Sequence, residues 1–189
     1  MVKSIMIVGV GGQGTLLASR ILGNTLLREG YDVKLSEVHG MSQRGGSVVT
    51  YVKYGDKVYS PRIDVGEADI VLAFEMLEAA RALPYLKKGG RMIVNDTQID
   101  PMPVISGAMA YPEDLAHKLS EKADTILLDA LKLAEEAGSF KAVNVVLIGV
   151  LAKNSEIAYD KWVQSLRQTV PAKLLDVNLK AFDLGYQYQ

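Results

Sequence analysis

Short apolar runs alternate along the chain with longer amphipathic stretches, and this alternation predicts the elements. Ile5–Val8 is a short run rich in β-branched residues, the pattern of a strand buried on both faces. From about Thr15 to Glu29 the period becomes helical, with Leu17, Ile21, Leu22 and Leu26 on one face and Gly30 as the stop. Asp32–Glu37 sets Val33 and Leu35 against Lys34 and Ser36, a second strand. Ser47–Tyr54 is strand-like, and Gly55-Asp56 followed by Val58-Tyr59 predicts a hairpin. Ala68–Phe74 reads as a further buried strand. A helix over Glu75–Leu86 follows, breaking at Gly89-Gly90, and then a strand at Arg91–Asn95.

Prolines punctuate Asp96–Pro112, which is expected to be irregular with a short extended piece near Pro103–Ser106. A helix from about Glu113 to Lys122, a strand at Thr125–Asp129 and a helix at Leu131–Ala137 come next. Val143–Ala152 is apolar all round, the mark of a buried helix, and Ala158–Leu184 resembles two amphipathic helices separated at Pro171. Strands alternating with helices imply an α/β fold: one doubly wound domain over residues 1–189, its mainly parallel sheet covered on both faces, with a Rossmann-like glycine-rich first turn and C-terminal helices.

Composition narrows the chemistry. The 189 residues carry 21 basic and 22 acidic side chains, a net charge of −1, which argues against nucleic-acid binding through clustered Lys and Arg. There is no cysteine, so thiolate nucleophiles, Cys-ligated zinc and Cys-ligated iron–sulfur clusters are excluded; with only His39 and His117, a histidine-rich metal site is equally implausible. Neither the opening run nor Val143–Ala152 approaches the ~20 apolar residues of a membrane span. A cytoplasmic protein that does not engage a membrane is the expectation.

More than half of the 17 glycines precede residue 47. Gly9-Val10-Gly11-Gly12-Gln13-Gly14 matches G-x-G-x-x-G after a predicted strand and at the opening of a helix. In that pattern Gly9 allows the tight turn, Gly11 a close approach of the backbone to a bound group, and Gly14 close packing of helix on strand. Free N–H groups and the helix dipole favour an anion there. A dinucleotide site also wants an acid at the end of the second strand, and Glu37 falls near that place. Three readings remain open: a dinucleotide site, a purely structural turn, or a shelf that meets a partner's backbone or a cofactor the partner holds.

The second cluster, Ser36-Glu37-Val38-His39-Gly40-Met41-Ser42-Gln43-Arg44-Gly45-Gly46-Ser47-Val48, is a loop at the carboxyl edge of the sheet, where open α/β proteins build their sites. Arg44 suits a carboxylate or phosphate, and His39 an oxyanion; the plainer alternative is a Gly45-Gly46 turn whose polar groups satisfy the loop backbone. Gly9–Ser19 joined to Ser36–Val48 resembles the gamma-type subunit or domain of 2-oxoacid:ferredoxin oxidoreductases. His39–Gln43 is most similar to the branch acting on aryl 2-oxoacids such as indolepyruvate, and Asn144–Gly149 is similar to a late family segment.

The resemblance implies a subunit that completes an oxidative decarboxylation rather than catalysing alone. An aryl 2-oxoacid, coenzyme A and oxidised ferredoxin give arylacetyl-CoA, carbon dioxide and reduced ferredoxin. An alpha subunit supplies thiamine diphosphate, magnesium and iron–sulfur clusters, which fits a chain with no cysteine and no convincing thiamine diphosphate–magnesium signature. No catalytic residue and no metal ligand is expected here. Gly9, Gly11, Gly12, Gln13, Gly14, His39, Gln43, Arg44, Gly45 and Gly46 are the candidates for cofactor binding or subunit contact. The rival is a free-standing NAD(P)- or FAD-binding Rossmann oxidoreductase, and a third option is a regulatory nucleotide-binding module. Elsewhere, Met41 suits a plug at a subunit contact or core filler; Glu75 suits the same edge or, in its ordinary reading, an acid at a helix start; Asn95-Asp96 falls on the expected ligand edge, where Asp96 equally suits a turn; and Asn144 suits a buried amide bonded to a neighbouring loop. Trp162, Phe182, Tyr186 and Tyr188 suit either a docking tail or a helix covering its own sheet.

Overall fold

The computed structural model describes residues 1–40 and 45–188. Six strands, β1 (Lys3–Val10), β2 (Asp32–His39), β3 (Ser47–Gly55), β4 (Ala68–Ala73), β5 (Leu86–Asn95) and β6 (Asp124–Leu128), form one sheet in the order β2-β3-β1-β4-β5-β6. The pairings β1/β4, β4/β5 and β5/β6 are parallel; β3 runs antiparallel to both β1 and β2. The helices are α1 (Thr15–Arg28), α2 (Met76–Ala82), α3 (Met102–Ile105), α4 (Leu115–Lys122), α5 (Ala130–Ala137), α6 (Val143–Lys153), α7 (Tyr159–Thr169) and α8 (Leu175–Gln187).

Alternation along β1 divides the core. Ile5 and Ile7 face a layer that includes α1, α5, α6, α7 and α8, while Met6 and Val8 face α2 and α4. The sheet is therefore covered on both faces, as expected. Trp162 and Phe182 are fully buried in the larger cluster, α8 lies against α6, and the Tyr188 hydroxyl donates to the Leu127 carbonyl of β6 at 2.9 Å, so these tail aromatics pack largely within their own chain.

Four local expectations are corrected. Val58-Tyr59 is no return strand: β3 has both its partners earlier in the chain, and Val58 is instead buried, its N–H bonded to the Asp32 carboxylate. The helix after β4 stops at Ala82, because Pro84 follows in a 3₁₀ turn, and Gly89-Gly90 lie inside β5, not at a helix break. Around Pro103–Ser106 the chain forms the helical turn α3, with Pro at its start, where a missing N–H costs nothing. Lastly, β3 intervenes between β1 and β2, which puts Glu37 two strands away from β1.

Candidate functional site

The glycine turn leaves β1 at Val10 and enters α1 at Thr15, with Gly12 at φ +106° and Gly14 at φ +85°. These two backbones need the left-handed region that side chains disfavour. Gly9 serves differently: it is still in β1, and a Cβ there would press on Phe74 Cβ at 3.0 Å and Gln13 Oε1 at 2.9 Å. Gln13 is drawn inward. Its Oε1 accepts from the Val10 N–H at 2.7 Å and its Nε2 donates to the Phe74 carbonyl at 2.9 Å, tying the turn to the end of β4. Gly14 packs not on a strand but on α6, where Asn144 Nδ2 donates to its carbonyl at 3.3 Å. Asn144 is thus the buried amide bonded to a neighbouring loop that the sequence suggests.

The two glycine clusters meet through their backbones. The Gly11 N–H donates to the Gly46 carbonyl at 2.8 Å, and the Gly45 N–H to the Gly11 carbonyl at 3.3 Å. The close backbone approach at Gly11 is therefore to the protein's own second loop. Beyond Gly46, Ser47 Oγ donates to the buried Glu78 carboxylate of α2 at 2.5 Å, and Arg81 Nη1 donates to its other oxygen at 2.5 Å. His39, at the end of β2, is exposed, with Nδ1 3.1 Å from the Gly40 carbonyl oxygen. Glu37 accepts from Thr50 Oγ1 across the β2/β3 pair at 3.3 Å. Gln43, Arg44, Met41 and Ser42 lie outside the described residues.

Two clefts flank the turn. One, of about 320 Å³, runs between Gly11–Leu16 and the end of β2, with Glu37, His39 and Val48 on its walls. The other, of about 480 Å³, lies on the α6 side, where Gly12, Gln13 and Gly14 face Asn95, Thr97, Leu131, Phe140, Lys141 and Asn144. Sequence reasoning missed Phe140 and Lys141. Their signal is an aromatic beside a lysine in a polar turn, and Lys141 Nζ sits 5.8 Å from the Phe140 ring centroid.

Buried amides and a carboxylate brace this edge. Asn95 Nδ2 donates to the Phe74 carbonyl at 3.3 Å and to Thr97 Oγ1 at 3.0 Å, and its Oδ1 accepts the Ala130 N–H at 3.0 Å. Glu75 caps α2 by accepting the Glu78 N–H at 2.8 Å, the structural role expected of it. Asp96 is exposed, with its N–H on the Leu128 carbonyl at 2.8 Å. Burial, then the hydrogen bond to Glu75, pushes the Tyr111 phenol well above the usual tyrosine range. Among the described residues, no three His, Cys, Asp or Glu side chains gather as metal ligands, and no helix is long and apolar enough to cross a membrane.

Comparison with known proteins gives a consistent picture. The family model described as pyruvate ferredoxin/flavodoxin oxidoreductase matches residues 4–188. The chain is 46% identical over 188 residues to indolepyruvate oxidoreductase subunit IorB of Pyrococcus horikoshii, covering 96% of this chain and 93% of that protein. It is 27% identical over 182 residues to the pyruvate/ketoisovalerate oxidoreductases common subunit gamma of Thermococcus kodakarensis, covering 94% and 92%. Among solved structures, the keto/oxoacid ferredoxin oxidoreductase gamma subunit of Geobacter sulfurreducens superposes with a TM-score of 0.73 at 21% identity, over 98% of this chain and 96% of that one. The 2-oxoglutarate:ferredoxin oxidoreductase of Magnetococcus marinus, solved with 2-oxoglutarate, coenzyme A and succinyl-CoA, superposes with a TM-score of 0.77 at 20% identity, over 98% of this chain and 30% of that longer one.

Proposed function

The chain belongs to the pyruvate ferredoxin/flavodoxin oxidoreductase family, and from that membership we propose that it is the small, gamma-type subunit of an indolepyruvate ferredoxin oxidoreductase. Near-complete coverage at 46% identity to a subunit of that name carries the reading. The complex converts an aryl 2-oxoacid, coenzyme A and two oxidised ferredoxins into the arylacetyl-CoA, carbon dioxide, two reduced ferredoxins and a proton. Cluster thiolates are held by a companion subunit, because this sequence has no cysteine to offer. Thiamine diphosphate and its magnesium are assigned to the same companion. The free-standing nicotinamide or flavin oxidoreductase loses its support: the relatives named above are oxidoreductase subunits, and Glu37 sits in a cross-strand pair on a strand not adjacent to β1.

In this reading residues 1–189 act as one domain, and its carboxyl edge is the working face. The paired glycine clusters make a fixed shelf there. Exposed Leu16, Leu131 and Phe140 flank it, apolar side chains suited to subunit contact. Gln13 is spent on holding the shelf. His39, Gln43 and Arg44 remain the side chains assigned to the companion's backbone, the oxoacid or the coenzyme A phosphate.

The test is reconstitution. The purified chain is expected to bind none of NAD, NADP and FAD, and to form a stable complex with the thiamine- and cluster-bearing subunit. Ferredoxin reduction by indolepyruvate and coenzyme A should require both subunits. Turnover by the isolated chain with a pyridine nucleotide would reject the reading. An Arg44→Ala complex with unchanged assembly and unchanged KM for oxoacid and coenzyme A would remove Arg44 from the site.

A further inference from the structure

The segment after β5 leaves the carboxyl edge, travels through residues 99–111 and returns to α4. One buried carboxylate closes it at both ends. Glu75, 1% exposed, accepts the Ile99 N–H at 3.2 Å and the Tyr111 hydroxyl on the same oxygen, Oε1, while Oε2 caps α2. The Met76 N–H adds a bond to the Thr97 carbonyl at 3.0 Å. The tip has its own structure: α3 is one helical turn, Gly107 reverses the chain at φ +74°, and the Met109 N–H returns to the Pro103 carbonyl at 3.0 Å. This is a compact Ω-shaped arm with its ends clasped.

The arm's tip is apolar and bare. Met102, Ile105 and Met109 are 70%, 66% and 66% exposed, side chains that folding alone gives no reason to place in water. Its base is acidic. Residues 96–114 contain Asp96, Asp100, Glu113 and Asp114 and no lysine or arginine, and three of these carboxylates line a cleft of about 440 Å³ beside Tyr111. Lys118 of α4 donates to the Glu113 carbonyl rather than to a carboxylate. Asp114 takes the left-handed conformation, φ 58°, at the start of α4, and its side chain makes no capping bond.

We propose that this clasped arm is a docking element that seats Met102, Ile105 and Met109 in an apolar groove of the companion subunit, a groove rimmed by lysine or arginine. The inference rests on the subunit reading above and adds where and by what chemistry the contact is made. Charge selects the occupant. A second copy meeting this face with its own would bring four like charges against four, whereas a basic rim gains from each carboxylate. Methionine suits the tip because its flexible thioether fits a groove of irregular shape. Fixing the arm before contact removes the cost of ordering it on binding.

The experiment titrates immobilised companion subunit with the full chain at several salt concentrations. The triple variant M102S/I105S/M109S is expected to weaken binding at least ~30-fold, the scale of losing a small cluster of interface anchors, with the thermal midpoint of the free chain unmoved. The charge variant E113Q/D114N is expected to weaken binding ~5-fold at low salt and to flatten its salt dependence. If wild type binds and the triple variant binds as tightly, the arm is overturned while the subunit reading stands. If wild type fails to bind the companion, the subunit reading falls first and the arm with it. Wild-type self-association that the triple variant abolishes would give the arm to a second copy and overturn the proposal.

Discussion

Between α6 and α8 a methyl group on Gly185 would overlap the Val146 carbonyl, and one on Gly149 would overlap the Phe182 carbonyl; at the carboxyl edge a methyl group on Gly12 or Gly40 would meet nothing within 4 Å among the described residues. The same residue type thus serves opposite ends. In the helix pair it is present because another backbone occupies the space a side chain would need, which lets the buried, apolar α6 lie directly against α8. At the shelf Gly9 is also crowded, by Phe74 and Gln13, but Gly12 and Gly14 are present because the chain must turn, and Gly40 stands where the described surface is bare. The clustered glycines mark a place to look for function, whereas Gly149 and Gly185, each alone in its helix, mark packing.

The sharpest way to break this contrast is Gly185→Ala. Overpacking a helix contact that cannot yield is expected to cost about 3 kcal/mol, lowering the thermal midpoint by ~6–12 °C in a chain of this size. A midpoint within 2 °C of wild type would mean the helices separate freely and the contact is not close. Gly14→Ala should come next. It combines a left-handed backbone with a Cβ 2.6 Å from Asn144 Nδ2, and about 2 kcal/mol is expected. Gly12→Ala, with φ +106° but open space, should cost about 1 kcal/mol. Reversal of the last two in chemical denaturation would show that Asn144 gives way and that only φ matters.

The contrast also explains what was legible in the sequence. β1, α1, β4 and the buried α6 follow from local periodicity, since each is decided by its own apolar residues. Gly9–Gly14 and Gly45-Gly46 were visible as clusters on one edge, but not that Gly11 bonds both members of the second, because strand order decides that. A β2–β3 hairpin can pair with β1 through either strand, and nothing local to Asp32–Glu37 says that β3 takes the inner place. Gly149 and Gly185 stand alone in unrelated stretches and become a pair only when α6 meets α8. Pro103–Ser106 misled for a different reason: proline reads as a breaker, yet here it opens a helical turn.

Gly40→Ala carries the smallest effect on stability and the most information about purpose. Gly40 directly follows β2 and is exposed, its N–H reaching the Ser47 carbonyl at 3.4 Å, and neither its backbone conformation nor any atom of the described residues requires a glycine there. In the isolated chain the substitution should change stability by less than ~0.5 kcal/mol, with a slight gain from the stiffer unfolded state the expected sign. If the space beside Gly40 belongs to the companion subunit, the added methyl group should leave folding intact and still weaken assembly, a combination that neither the helix-pair glycines nor Gly12 can produce. Wild-type assembly and turnover in the Gly40→Ala complex would confine the functional part of the shelf to Gly9–Gly14 and Gly45-Gly46, whose backbones already hold each other.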